Sequence, residues 1–161
     1  MARVRAGRVH SPEGILTEIK KLLTNTVIWV PVLVMFIAQV TKCCVYSIAG
    51  RRLDLSWLFQ TGGMPSSHSA LVTALAVKVG TKTGFDSPSF AIAFILALIV
   101  MYDAAGVRRA MGKQARLLNI MVEEMFKGRP VSEERMREFL GHTPLEVFVG
   151  ALLGLVIAIL L

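Results

Sequence analysis

Long apolar runs separated by short polar turns set the pattern of this chain. Within residues 27–49 the apolar positions are interrupted chiefly by Gln39, Thr41 and Lys42, with Ser47 near the end. That is long enough to cross a bilayer, which takes about 20 residues, and Pro31 near the start is tolerated in lipid. Gly50-Arg51-Arg52 ends the run on a basic note. A second run covers residues 65–79, with Lys78 as its one charged residue; its shortness implies a tilted or partly re-entrant passage. After a turn over 80–88, a third run at 89–102 is apolar at every position after Ser89, and the pattern predicts that its helix carries on through Asp103 and Arg108. The fourth run, 144–161, closes the sequence.

The polar stretches carry their own helical signals. Ser11-Pro12-Glu13 reads as an N-cap, a first-turn proline and an acid that suits the helix dipole. Ile15, Leu16, Ile19, Leu22 and Leu23 then fall on one face, predicting an amphipathic helix that lies on a membrane surface or packs on the rest of the protein. Between the third and fourth runs, Leu117, Leu118, Met121, Val122 and Met125 recur at helical spacing. Gly128-Arg129-Pro130 breaks that pattern. Ser132-Glu133-Glu134 restarts a short helix bearing Met136, Phe139 and Leu140, which Gly141 stops. The expected architecture is all-α: an integral membrane helical bundle of about four spans, with a basic arm and amphipathic surface helix over 1–26 and a single membrane-embedded domain over 27–161.

Composition agrees with the pattern. Hydrophobic residues make up 54% of the 161 positions and the mean hydropathy is +0.60, above the roughly 45–50% apolar content of soluble domains. A net charge of +7 suits anionic head groups or anionic substrates. It suits nucleic acid less, because the basic residues sit in short loops between greasy segments. Cys43 and Cys44 are adjacent, poorly placed to pair with each other, and read as packing residues. The first apolar run begins far from the start, so no cleavable signal is visible.

If the four runs alternate across a membrane, one face gathers the end of the first, the start of the second, the end of the third and the start of the fourth. That face collects Lys42, Arg51, His68, Asp103, Arg108, Arg109 and His142. It also carries eleven of the eighteen lysines and arginines, which by the positive-inside rule turns it toward the cytoplasm or its organellar equivalent.

The chemistry concentrates at Gly62-Gly63-Met64-Pro65-Ser66-Ser67-His68-Ser69-Ala70. Two glycines allow a sharp turn, and Pro65 fits the first turn of a helix. Ser66, Ser67 and His68 would then stand beside free N–H groups at the positive end of the dipole, a setting that suits phosphate. The plainer reading is a serine-capped helix start. At the other end of the sequence, Glu146 follows His142 by four residues and can lie over it. Thr143-Pro144-Leu145-Glu146 is equally a capping box, and the two roles are compatible. A neutral histidine oriented by a carboxylate can attack phosphorus, a second histidine can protonate the leaving oxygen, and lysine or arginine neutralises the phosphoryl oxygens. Zinc held by two histidines and Glu146 is a further option, although no short-range ligand spacing supports it.

Pro65-Ser66-Ser67-His68 resembles the Pro-Ser-Gly-His motif of the type 2 phosphatidic acid phosphatase and vanadium haloperoxidase superfamily, and His142 with Glu146 resembles its closing His-x-x-x-Asp. Residues 62–70, 101–119 and 141–147 look more closely like the divergent branch of that superfamily, small acid-phosphatase-related membrane proteins. The similarity covers about 27–161. It implies metal-independent hydrolysis through a phosphohistidine, with His142 as nucleophile, Glu146 as its orienter, His68 as the acid for the leaving group, and Ser66 and Ser67 lining the phosphate pocket. No cofactor is implied, and vanadate would act as a phosphate mimic or inhibitor. Two positions depart from the pattern: Ser67 stands where the motif has glycine, and Glu146 where it has aspartate. The first motif, Lys-x6-Arg-Pro, is absent; Lys42 with Arg51 is its nearest counterpart, at longer spacing and without proline. The Ser-Arg pair before the nucleophile is missing too, which leaves Arg108 or Arg109 to take over its work from another segment.

Three functions fit these residues. The first is a membrane phosphatase for a lipid phosphate or isoprenyl-type diphosphate. The second is a non-catalytic membrane protein that binds phosphorylated lipid or assembles with partners. The third is part of a small transporter, its intramembrane charges marking a path. The partners implied are the bilayer and an anionic phospholipid or isoprenoid phosphate, not nucleic acid. Four spans enclose little volume, an arrangement compatible with a homodimer.

Overall fold

The computed structural model describes residues 12–51, 55–58, 62–125 and 142–161. Six helices account for nearly all of them: α1 (Pro12–Leu23), α2 (Thr26–Ala49), α3 (Ser67–Thr83), α4 (Pro88–Ala105), α5 (Val107–Met125) and α6 (Pro144–Leu160), with a 3₁₀ turn at Leu55–Leu58. Among the described residues there is no strand, as the all-α expectation required. The basic arm, Arg52 and the short helix expected after Ser132 fall outside the described residues.

Helix α3 is the centre of the bundle and packs against α2, α4 and α6. Its sequence explains the position, because Ser69, Ala70, Ala74, Ala76 and Gly80 are small and buried. Small side chains let backbones approach closely where solvent gives little drive to associate. One side of α3 places Ala70 and Ala74 against Val30, Val34 and Ala38 of α2 and Ala158 of α6. The other places Val72 and Ala76 against Ala93 and Ala97 of α4. Phe36, Ile92, Phe148 and Ile159, by contrast, are exposed. Small residues inside and bulky apolar ones outside invert the rule for proteins in water and suit a surround of lipid.

Helices α2 and α4 have both the length and the hydropathy to cross a membrane unaided. Helix α6 is apolar but 17 residues long, as is α3, so each reaches about 25 Å along its axis.

Two expectations need correction. Helix three does not run through Arg108: it ends at Ala105, the Gly106 N–H closes the last turn on the Tyr102 carbonyl, and a separate helix begins at Val107. Pro65 is not in the first turn of α3 either. Ser66 is the N-cap, its side chain accepting from Ser69 N, so the helix starts at Ser67, two residues beyond the proline.

Candidate active site

Two close helix contacts build the site. Helix α6 crosses the start of α3 at Gly150 and Gly154, where a Cβ would collide with the backbone carbonyls of Ser66 and Ala70 respectively. These glycines and Ala158 recur every four residues, a small-residue stripe that seats α6 on α3. The backbones then join directly, Ser66 N donating to Glu146 O at 3.1 Å. A second bond, His142 N to Ala104 O at 3.1 Å, ties the entry to α6 to the end of α4. The starts of α3 and α6 and the ends of α2 and α4 thus meet at one end of the bundle.

At that junction His142 is almost fully buried, at 1% exposure. Its Nδ1 lies 3.1 Å from Glu146 Oε2. The same oxygen accepts from Thr143 N at 3.0 Å, while Glu146 N donates to Thr143 Oγ1 at 3.3 Å. The capping box therefore forms, and its carboxylate holds the histidine as well. With a carboxylate as acceptor, the ring proton sits on Nδ1 and Nε2 keeps its lone pair. Among the described residues Nε2 has no hydrogen-bond partner of good geometry. Burial pulls the His142 pKa below its ordinary value near 6.5; Glu146 opposes that, Lys42 adds to it, and the Gly63 backbone weakly opposes it.

His68, in the first turn of α3, is half-buried, and its ring lies edge-on to that of His142 with centroids 6.3 Å apart. Ser66 and Ser67 are buried beside it. Ser66 Oγ is committed to the helix cap, accepting from Ser69 N at 3.3 Å and Ser69 Oγ at 3.0 Å.

Lys42 does not snorkel to an interface, the simplest reading for a lysine near a helix end. It is fully buried and close enough to Glu146 and His142 to act on both electrostatically. Its Nζ donates to Gln39 Oε1 at 3.2 Å. Gln39 Nε2 in turn donates to the carbonyls of Trp57 and Leu58 at 3.2 and 2.7 Å. Tyr46, one turn beyond Lys42, stacks on Trp57 with centroids 4.0 Å apart. Gly63, at φ +86°, lies where a Cβ would be 2.9 Å from the Tyr46 ring. Sequence reasoning noted Gln39 only as an exception in a greasy run and passed over Tyr46, Gly150 and Gly154. The signals were there: an amide in an apolar span needs a partner, and glycines four apart mark a helix contact.

The structure does not bring every candidate together. Arg51 is exposed, in the left-handed region at φ 50° just past the α2 cap. Arg108 and Arg109 lie in the first turn of α5, and their side chains are outside the described structure. Among the described residues no group of three or more His, Cys, Asp or Glu side chains is arranged to hold a metal ion.

A helical bundle with an apolar exterior, and with a buried histidine and lysine joined by a half-buried carboxylate at one end, is a membrane protein with a built polar site. The chain belongs to the Divergent PAP2 family, which it matches over residues 23–157. It is 40% identical over 152 residues to the "Uncharacterized membrane protein YuiD" of Bacillus subtilis (strain 168), an alignment covering 88% of this chain and 96% of that one. No solved structure matches it significantly.

Proposed function

We propose that this protein is a membrane phosphatase that hydrolyses a lipid phosphate or isoprenyl-type diphosphate through a phosphohistidine. The observation that carries the reading is the buried His142 ring, oriented through Nδ1 by Glu146, with His68 beside it and buried Lys42 within electrostatic reach. In the first step the His142 Nε2 lone pair bonds to phosphorus as the bond to the leaving oxygen breaks. His68 gives that oxygen its proton. In the second step water attacks phosphorus, His68 takes the water's proton, and the P–N bond breaks to release phosphate. Lys42, and the Ser67 and His68 backbone N–H groups at the α3 start, would neutralise the phosphoryl oxygens. Four helices crossing a bilayer, with α1 on its surface, would set the phosphate at the head-group level and an acyl or prenyl chain along the apolar exterior.

Phosphate release by purified protein, screened over lipid phosphates and diphosphates, tests this. His142→Ala and His68→Ala are expected to abolish release while the fold persists; full activity in the His142 variant would overturn the mechanism. The second reading is a binder of phosphorylated lipid that lacks the chemistry. It draws on Ser66, whose hydroxyl is committed to the helix cap, and on Arg51, which stands outside the cluster. Vanadate separates the two, since it mimics five-coordinate phosphorus. Tight vanadate binding that needs His142 supports the enzyme, and lipid binding indifferent to vanadate supports the binder.

A further inference from the structure

Helix α5 presents a surface that the phosphatase reading does not use. Its first sixteen residues contain Arg108, Arg109, Lys113 and Arg116 and no acid. At 100° per residue these four fall on one half of the helix, while Leu118, Met121, Val122 and Met125 fall on the other. The helix rests on the molecule through the small buried residues Gly112 and Ala115. Leu117, Leu118, Met121 and Met125 are left exposed, at 59, 44, 51 and 78%, and Lys113 and Arg116 are exposed as well.

Position decides what covers that stripe. Helix α5 starts one residue after α4, a helix apolar and long enough to cross a membrane, and the break between them is Gly106. The stripe therefore begins where the hydrocarbon ends. Two turns of basic side chains beside it complement anionic head groups, each contributing attraction near a charged surface. Glu123 and Glu124 stand in the last turn of α5, so the excess of positive charge is confined to its first ten residues, next to α4. Helix α1, at the opposite end of α2 from the site, offsets Lys20 and Lys21 with Glu13 and Glu18 and carries no such excess.

We infer that α5 is an in-plane membrane helix that docks on anionic lipid at the face bearing His142, with its apolar stripe in the acyl boundary and Lys113 and Arg116 among the head groups. The inference goes beyond the phosphatase reading, and its test measures no turnover. A fluorophore is placed at Met121→Cys or Arg116→Cys in full-length protein lacking Cys43 and Cys44, in nanodiscs of phosphatidylcholine alone or mixed with phosphatidylglycerol. Quenching by doxyl-labelled lipid is expected to be several-fold stronger at position 121 than at 116. It should rise with the anionic lipid, and Lys113→Glu with Arg116→Glu should abolish that rise at position 121. Equal quenching of both positions by aqueous iodide in both lipids would overturn the inference. So would shielding of position 121 from both quenchers, which would mean that residues 126–141 or a second copy cover the stripe, self-quenching identifying the copy.

Discussion

Gly150 and Ser66 touch backbone to backbone: a single Cβ on Gly150 would collide with the Ser66 carbonyl oxygen. This contact sets where Glu146 of α6, and His142 just before that helix, lie relative to the α3 residues Ser67 and His68. Overpacking a close contact of this kind costs about 1–3 kcal/mol. Gly150→Ala is therefore expected to lower the midpoint of detergent unfolding, and to lower phosphate release or vanadate affinity by more than the unfolded fraction explains. An unchanged midpoint would show that the helices have room to separate.

Glu146 has two partners on one oxygen, and two substitutions separate them. Glutamine still serves a capping box, so Glu146→Gln should fold with nearly normal stability. It should nevertheless lose roughly 10²–10⁴-fold in turnover, as expected when the charge that orients a catalytic histidine is removed. Glu146→Ala should lose the same activity and in addition about 1 kcal/mol of stability from the broken cap. Equal turnover in the glutamine variant and the parent would leave Glu146 a cap and nothing more.

The pH dependence follows from the burial of His142. Its folded pKa is held below the ordinary value near 6.5, so the unfolded chain binds this proton first as pH falls. His142 thus contributes stability that is complete above about pH 6.5 and is lost as pH falls from there through the folded pKa. Unfolding midpoints across that window should fall in the parent and flatten in His142→Asn. Turnover should have an acid limb below pH 6.5 for the same reason. Because Glu146 raises the His142 pKa and Lys42 lowers it, Glu146→Gln should move the limb to lower pH and Lys42→Met to higher pH.

Lys42→Met keeps the length of a fully buried side chain and removes its charge. Replacing a buried ion by an apolar isostere is often neutral for stability, so the fold should persist. Vanadate or phosphate affinity should fall about tenfold or more, since a charge-assisted contact to the anion would be gone. Retained affinity would assign the anion to another cation.

Gln39→Leu takes from the Trp57 and Leu58 carbonyls the amide that holds them against α2. In a protein whose other tryptophan, Trp29, is replaced by phenylalanine, Trp57 emission should shift to the red as its stack on Tyr46 loosens. Backbone exchange over Leu55–Leu58 should quicken. Parent-like emission and exchange would mean that the stack alone fixes this turn.

Much of this molecule is written locally. The apolar runs are long and periodic enough to specify helices, and Ser66, Ser87 and Thr143 cap α3, α4 and α6 through their own side chains, because a cap depends on residues within a turn of one another. The pairing of His142 with Glu146 was legible for the same reason, since residues four apart on a helix start are neighbours. Lengths and alternation of the runs also predicted which helix ends meet. What the sequence could not decide was burial and distance between segments. Lys42 looks like any lysine near the end of an apolar run, and only the approach of α3 and α6 puts it at 0% exposure beside Glu146. Arg51, nine residues on, looks equally suited to a phosphate and stands in the open. Gly106 resembled a residue that a helix could absorb, yet the chain breaks there. Helix approach is set by which small residues face one another, Gly150 against Ser66 and Gly154 against Ala70, and that matching exists only once both helices are in place.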